Sequence, residues 1–320
     1  MKIAIMVMAA NSQPSTRNLD AIQNTIVRYY NENKEKFKHQ YDFFFYWSTG
    51  DNNGEHKITK SKNFDNLFYI EIAEIESVYR TYEKTIAAFD MVEKHDSYDW
   101  FVRMNISMFL NMDLLDAVIG TFKENSMYGN ALNSIVNLNC AYCDDLYVRG
   151  DLMIFDKNVM EGISRNALRF MYSDLNMKVR DGVDHVDDCL IGCCFINYMG
   201  PEYYKHLYML SYTYLPNHDI PNNLKVNRYH IGTRVKTVPP TETYSGYSWD
   251  DNEYRKVDCD KMYKLMEYIE NNPYKYTGMK MADVLVDKKQ SRPTLFISAS
   301  GQNIFEIFWK FLEQKRKVNN

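Results

Sequence analysis

Glycine and proline are scarce in this 320-residue chain, at 13 and 8 residues. Tyr, Phe, Lys, Asn and Met are abundant instead, a bias that coding in an AT-rich genome also produces and that says little about function. Long basic runs are absent, and the formal net charge is −4. A non-specific nucleic-acid binder would carry such a run, so that class is excluded for the body of the chain. Only Lys315-Arg316-Lys317, near the end, is locally basic. No apolar run is long enough to span a bilayer. The N-terminal run from Ile3 to Ala9 is too short and meets polar Asn11-Ser12-Gln13 at once. A Gly-rich phosphate loop with its Lys is missing after that first strand, which argues against a P-loop enzyme. No internal repeat is present.

Cysteine is limited to six residues. Cys140-Ala-Tyr-Cys143 has CxxC spacing, but a structural zinc asks for a second pair or added His. Cys189, Cys193 and Cys194 lie in an apolar run and read as core. Reduced thiols and a cytoplasmic setting follow as the default.

What is present is an alternation of strands and helices. Ile3 to Ala9 is a nearly continuous apolar strand, as in a parallel sheet covered on both faces. Ser15 or Thr16 is placed to cap a helix from about Arg17 to Asn31. Strands follow at Tyr41–Trp47 and Asn66–Ile72, a helix at Glu76–Glu93, a strand at Tyr98–Val102 and a helix at Met112–Phe122. Leu146 to Phe155 reads as a strand pair or as a strand interrupted at Arg149-Gly150-Asp151. Helices are expected at Lys157–Tyr172, Cys189–Tyr198, Met262–Asn271 and Gly278–Leu285. A strand is expected at Thr294–Ser300, and an amphipathic helix at Gln302–Lys317. The alternation predicts βαβ units and an α/β fold with a mostly parallel sheet flanked by helices. Residues 1–236 are expected to form the main domain. Residues 237–320 are expected to be a less regular extension whose terminal helix packs on the core.

The most informative stretch is Tyr98 to Asn111. It reads as a buried strand that runs out into a polar turn, the end of a strand at which open α/β folds bind ligands. Two carboxylates at the spacing of Asn105 and Ser107 would indicate a metal–diphosphate site; Asn and Ser stand there instead. An amide at a strand end has no core role, so Asn105 is a ligand contact or an Asx turn. Asp187 and Asp188 open an apolar helix. On the residues alone the two cap the helix or bind a metal. His185 is their neighbour.

The stretch from Glu76 to Asn111 resembles the centre of GT-A-type glycosyltransferases, and is most similar to the inverting β-1,3-galactosyltransferase-like families. The resemblance rests on Glu76, Lys84-Thr85, Tyr98-Asp99, Arg103, the Asn105-Ile106-Ser107 position and Asn111-Met112-Asp113-Leu114-Leu115. A Gly-containing strand at Arg149–Phe155 and the pair Asp187-Asp188 followed by Gly192 agree in order and rough spacing. Asn-x-Ser replaces that family's acidic Asp-x-Asp. The resemblance spans about residues 76 to 192. It implies a GT-A (Rossmann-like) fold, a UDP- or GDP-linked sugar donor and a glycan, glycolipid or glycoprotein acceptor. It implies a catalytic base at Asp188, with Asp187 the alternative.

Donor contacts are implied at Asn11, Lys84, Arg103, Asn105, Ser107, His230 and Arg234. Arg103 is alternatively a partner of Asp113 or Glu76, and Lys84 a solvated side chain. His230 and, less directly, His218 stand where a late His of such enzymes completes the metal shell or touches the diphosphate. At the Asn-x-Ser position Asn105 is the metal-ligand candidate, and Mn²⁺ or Mg²⁺ is either held weakly or replaced by Arg103, Lys84 or Arg234. The aromatic tail Ile304–Lys317 packs on the domain, meets a second subunit or lies on a membrane at its cytosolic face. Two other functions are weighed beside transfer: a non-catalytic carbohydrate-binding protein, and a nucleotidyltransferase.

Overall fold

The computed structural model describes residues 1–51, 53–74, 81–130, 132–134, 146–171, 186–215, 230–237 and 252–286. Two compact units divide the chain, Met1–Leu285 and Val286–Asn320. The expected strand at 294–300 and helix at 302–317 lie outside the described residues, as do Glu76, Cys140, Cys143, His185 and His218.

The first unit opens with β1 (Lys2–Met8), then α1 (Gln13–Ile22), which continues through a wider π-type turn at Gln23–Val27 into α2 (Arg28–Glu32). Next come β2 (Gln40–Ser48), β3 (Lys57–Lys60), β4 (Leu67–Ile72), α3 (Thr81–His95), β5 (Trp100–Asn105), β6 (Met108–Leu110) and α4 (Met112–Val118). The strands β7 (Met127–Gly129), β8 (Leu132–Ser134), β9 (Leu146–Val148) and β10 (Leu152–Asp156) lead into α5 (Lys157–Met171) and α6 (Val186–Met199). Short strands β11 (Leu207–Met209), β12 (Tyr212–Tyr214) and β13 (Gly232–Arg234) precede α7 (Asn252–Asn271) and α8 (Met281–Val284).

Eight strands form the main sheet, in the order β11-β7-β10-β5-β1-β2-β4-β3. Its centre, β5-β1-β2-β4, is parallel, and β10 runs antiparallel between β5 and β7. A smaller sheet, β12-β13-β6, lies beyond the end of β5. This is the mixed α/β, mostly parallel, helix-flanked sheet expected of a GT-A-type fold.

Alternation along the central strands builds two faces. Ile3, Ile5 and Val7 of β1, with Val102 and Met104 of β5, join a core with Ile22, Leu115, Met262 and Leu265 from the helices of one face. The opposite face carries Met8, Tyr46 and Arg103 toward α3, where Thr85 Oγ1 lies 3.3 Å from the Tyr46 hydroxyl. On that side the Tyr82 hydroxyl donates to the Ala167 carbonyl at 3.0 Å and meets Cys194 Sγ at 3.2 Å. Cys189, Cys193, Cys194 and Cys259 are buried thiols outside any disulfide.

Several boundaries differ from expectation, each for a local reason. The first helix begins at Gln13, capped by Ser12, because Pro14 fits the first turn, where no N–H is needed. Strand β5 continues past Val102 to Asn105, since β1 pairs with it as far as Met8 opposite Asn105. Arg103 resembles a strand end in sequence, but a buried carboxylate accounts for it, as shown below. Helix α7 starts ten residues before Met262, and Lys261 on it donates to the Leu215 and Val235 carbonyls at 2.7 and 3.1 Å. Those bonds tie α7 to the first unit, which runs past residue 236. Strand β3 is a Lys-bearing antiparallel edge that periodicity does not reveal. Among the described residues no helix is long and apolar enough to cross a membrane.

Candidate functional site

The parallel strands β1, β2, β4 and β5 end on the same side of the sheet, which is where this class of fold leaves a crevice. Asn11 lies just beyond β1 and its side-chain amide donates to the Thr49 carbonyl at 3.3 Å, joining the rims of β1 and β2. Lys84 reaches the same rim from α3. Its ammonium is buried and donates to the Ala9 carbonyl at 2.9 Å. The fold thus uses Lys84 to hold the end of β1; it is not the solvated side chain that its sequence alternative allowed.

Arg103 is fully buried beneath the site. Its guanidinium donates to the Gly150 carbonyl and pairs with Asp187, and meets Met8 Sδ at 3.2 Å. Burial alone would lower its pKa, but Asp187, then Tyr46 and Asp188, outweigh that and leave it raised. Of the expected alternatives, Asp113 is not its partner, and Glu76 lies outside the described residues. Asp113 instead accepts from the Tyr29 hydroxyl at 2.8 Å. Buried in this way, Arg103 anchors the start of α6.

That anchoring separates the two acidic residues. Asp187 is committed to Arg103. Asp188 accepts the Gly150 N–H through Oδ2 at 2.8 Å, while its Oδ1 is buried and has no hydrogen-bond partner among the described residues. Burial and the charge of Asp187 push the Asp188 carboxyl up to about 7, against the lowering by the Gly150 N–H, Arg103 and Arg149. A carboxyl poised near neutrality is suited to exchanging a proton.

The turn Arg149-Gly150-Asp151 carries the contact from Asp188 to the end of β5. Gly150 is required here: a Cβ would run into the Arg103 guanidinium and lie 3.2 Å from the Asp188 Cβ. The Asp151 carbonyl accepts the Asn105 N–H at 3.2 Å. Its carboxylate pairs with Arg234 at 2.6 Å and Arg149 at 3.4 Å. Asn105 Oδ1 is buried and unpartnered among the described residues. An Asx turn would occupy that oxygen, and no such bond is made among the described residues. Ser107 is buried, and its carbonyl accepts the Val235 N–H at 2.9 Å, which sets β13 beside it.

Arg234 is thus brought to the cluster, and His230 is not. Gly232 pairs with Leu110 and Arg234 with Met108, so His230 precedes the far end of β13, four residues and roughly 13 Å along an extended chain from Arg234. It is held there by Ser211 Oγ, 2.8 Å from Nδ1, and burial lowers its pKa.

Sequence reasoning missed Arg149, Asp151, Lys236 and Arg255 as site residues. Burial pushes the Lys236 ammonium down to about 6, aided by Arg234 and Arg255 and opposed by Asp151 and Asp258. The available signal was the two-residue spacing of Arg234 and Lys236 beside a β-strand pattern.

A chelated metal does not fit this donor set. Asn105 and Ser107 offer an amide and a hydroxyl, and Asp151 is already bridged to two arginines. Among the described residues no group of three or more His, Cys, Asp or Glu is arranged to hold a metal ion. Cations are what the residues around Asp151 supply.

No protein-family model matches the chain, and neither does any curated protein sequence. Among solved structures, the galactosyltransferase LgtC in complex with donor and acceptor sugar analogues overlays 83% of this chain and 95% of its own, at TM-score 0.44 and 9% identity. A glycosyltransferase involved in glycosylation of the major capsid of PBCV-1 overlays 82% of this chain and all of its own, at TM-score 0.39 and 10% identity. Overlays at this level carry no statement about activity.

Proposed function

We propose that this chain is a glycosyltransferase that moves a sugar from a nucleotide-diphosphate donor, UDP- or GDP-linked, to a hydroxyl of a glycan, glycolipid or glycoprotein, with inversion at the anomeric carbon. The observation that carries this reading is the division of labour between Asp187 and Asp188. One is locked to a buried arginine; the other is raised toward neutrality and keeps an oxygen with no hydrogen-bond partner among the described residues.

In this reaction the acceptor hydroxyl gives its proton to Asp188 as its oxygen forms the new bond to the anomeric carbon. The bond from that carbon to the diphosphate breaks, and its electron pair leaves on the diphosphate oxygen. Arg103 and the Gly150 N–H orient the two carboxylates. Asn105 and Ser107 contact the donor near its diphosphate, Asn11 the nucleoside, and Arg234 meets the charge that develops on the leaving group. The protein works in the cytoplasm, and its basic aromatic tail is the segment through which it would reach an acceptor held at a membrane surface.

The test is a panel of nucleotide sugars screened by thermal shift, followed by product analysis with the donor that responds. Release of nucleoside diphosphate, with a product of inverted anomeric configuration, supports the reading. Release of pyrophosphate would indicate nucleotidyl transfer instead. A second reading, a carbohydrate-binding protein without catalysis, is favoured by the missing carboxylates at positions 105 and 107. Glycan binding with no donor response would establish it.

A further inference from the structure

A second cleft opens where α4 meets the end of α7. It measures about 260 Å³, is partly open to solvent, and is lined by Asn111, Asp113, Tyr268, Asn272, Tyr274 and Tyr276. Asn111 follows β6, so the cleft lies four residues and roughly 13 Å of extended chain beyond Ser107. Asn272 closes α7: its backbone N–H and its side-chain amide both donate to the Tyr268 carbonyl at 3.0 Å, and Pro273 cannot extend the helix. The chain then passes the start of α4. There the Asn111 side-chain amide donates to the Tyr276 hydroxyl at 3.1 Å, while its Oδ1 accepts the Leu114 N–H at 3.1 Å. The Tyr276 ring is held in this way, and the Tyr274 ring lies edge-on to it with centroids 4.7 Å apart. Tyr274 itself is 38% exposed, so a ring face is open to a ligand. Asp113 supplies the one charged side chain among the described lining residues, and its Oδ2 accepts the Tyr29 hydroxyl at 2.8 Å.

This lining selects a class of ligand. A carboxylate without a cation beside it in the lining repels phosphates and other anions. Two amides and a carboxylate set among the rings would lose hydrogen bonds to a wholly apolar ligand. A neutral polyhydroxyl ring meets both conditions: its C–H face packs on a tyrosine ring and its hydroxyls bond to carboxylate and amide. We propose that this cleft binds one ring of a neutral saccharide, with Tyr274 as the stacking platform and Asp113 and Asn272 as the hydroxyl contacts. Assigning that ring to the acceptor glycan, at a distance from the hydroxyl that reacts, rests on the transferase reading above. On that assignment the cleft adds affinity for longer acceptors and leaves the chemistry at Asp188 unchanged.

The probes are neutral tetrasaccharides of glucose, galactose, mannose and N-acetylglucosamine, offered to the full-length protein with EDTA and without nucleotide. Saturation-transfer NMR identifies a bound sugar, and calorimetry gives its Kd. At least one should bind. Tyr274→Ala should weaken that binding about tenfold, while Tyr274→Phe, which keeps the ring, should bind as the unmodified protein does. Absence of binding by every probe, or binding undiminished in Tyr274→Ala, overturns the cleft, and the first of these results needs no variant to fold. With an active donor and the bound tetrasaccharide as acceptor, Tyr274→Ala should raise the acceptor KM about tenfold at unchanged kcat and unchanged donor KM. Saccharide binding that depends on Tyr274, with no response to any nucleotide sugar, keeps the cleft and removes the transferase reading. Transfer to that tetrasaccharide with the same acceptor KM in Tyr274→Ala keeps the transferase reading and removes the acceptor assignment.

Discussion

Replacing Asp188 by Asn should make the protein more stable and inactive at once, and the gain should depend on pH in one direction. In the fold the Asp188 carboxyl is raised to about 7 from an ordinary value of 3.8, by burial first and by Asp187 second. The folded state therefore holds this proton more tightly than the unfolded chain does. Below about pH 4 both states are protonated, and the residue brings no penalty. Between about pH 4 and pH 7 the unfolded chain is ionised while the folded carboxyl keeps its proton, so stability is progressively lost; above 7 both are ionised, the fold buries the charge and the loss levels off. At about 1.4 kcal/mol per tenfold, the interval amounts to roughly 4 kcal/mol, part of which belongs to the Asp187–Asp188 pair acting together. Asn does not ionise, and its amide oxygen can still accept the Gly150 N–H now held at 2.8 Å. Urea denaturation of both proteins at pH 4, 6 and 8 measures the effect. The variant's advantage should be near zero at pH 4 and grow to about 2–4 kcal/mol at pH 8. A difference that does not change with pH, or a variant less stable at pH 8, would refute the assignment of a raised, buried carboxyl.

Arg103→Met should cost about 3–5 kcal/mol, because it leaves Asp187 buried without its cation, and urea midpoints at pH 7 would show it. Replacing Arg103 and Asp187 together by apolar residues should recover much of that loss, which a double-mutant cycle reads directly. Gly150→Ala should destabilise by about 1–3 kcal/mol, since the new methyl displaces the Arg103 guanidinium; a thermal melt with no change would contradict that packing. Lys236→Met should raise stability at pH 7 relative to the unmodified protein. The lysine is depressed to about 6, so its penalty grows as pH falls from about 10 to 6 and is constant below; a variant advantage that shrinks as pH falls through that window would be the wrong sign.

The sequence discloses the central sheet because its strands are buried on both faces and read as apolar runs: Ile3 to Ala9 and Tyr41 to Trp47 needed no tertiary information. Asp187-Asp188 was legible as an acidic pair opening a helix, but not which of the two would be held by an arginine. That depends on Arg103, 84 residues earlier in the chain. A buried arginine inside a strand looks polar in sequence, so β5 was expected to stop at Val102 when the strand in fact continues to Asn105. His230 was expected from the resemblance, with Arg234 close by in sequence; the extended strand between them carries the two to opposite ends. Lys236 and Arg255 escaped notice because their meeting depends on α7 packing back across the end of β13, a contact between segments that no local pattern records.

The central claim is chemical, and one measurement addresses it most directly. The protein is incubated with each of a set of UDP- and GDP-linked sugars and a mixture of glycan acceptors, with and without EDTA, and nucleoside diphosphate release is followed for the unmodified protein and for Asp188→Asn. One donor should support release together with sugar transfer, should survive EDTA, and should lose about 10²- to 10⁴-fold in rate in the variant while the donor still binds. Equal rates in the two proteins would remove Asp188 from the chemistry, and a folded protein that neither binds nor turns over any donor would contradict the transferase reading as a whole.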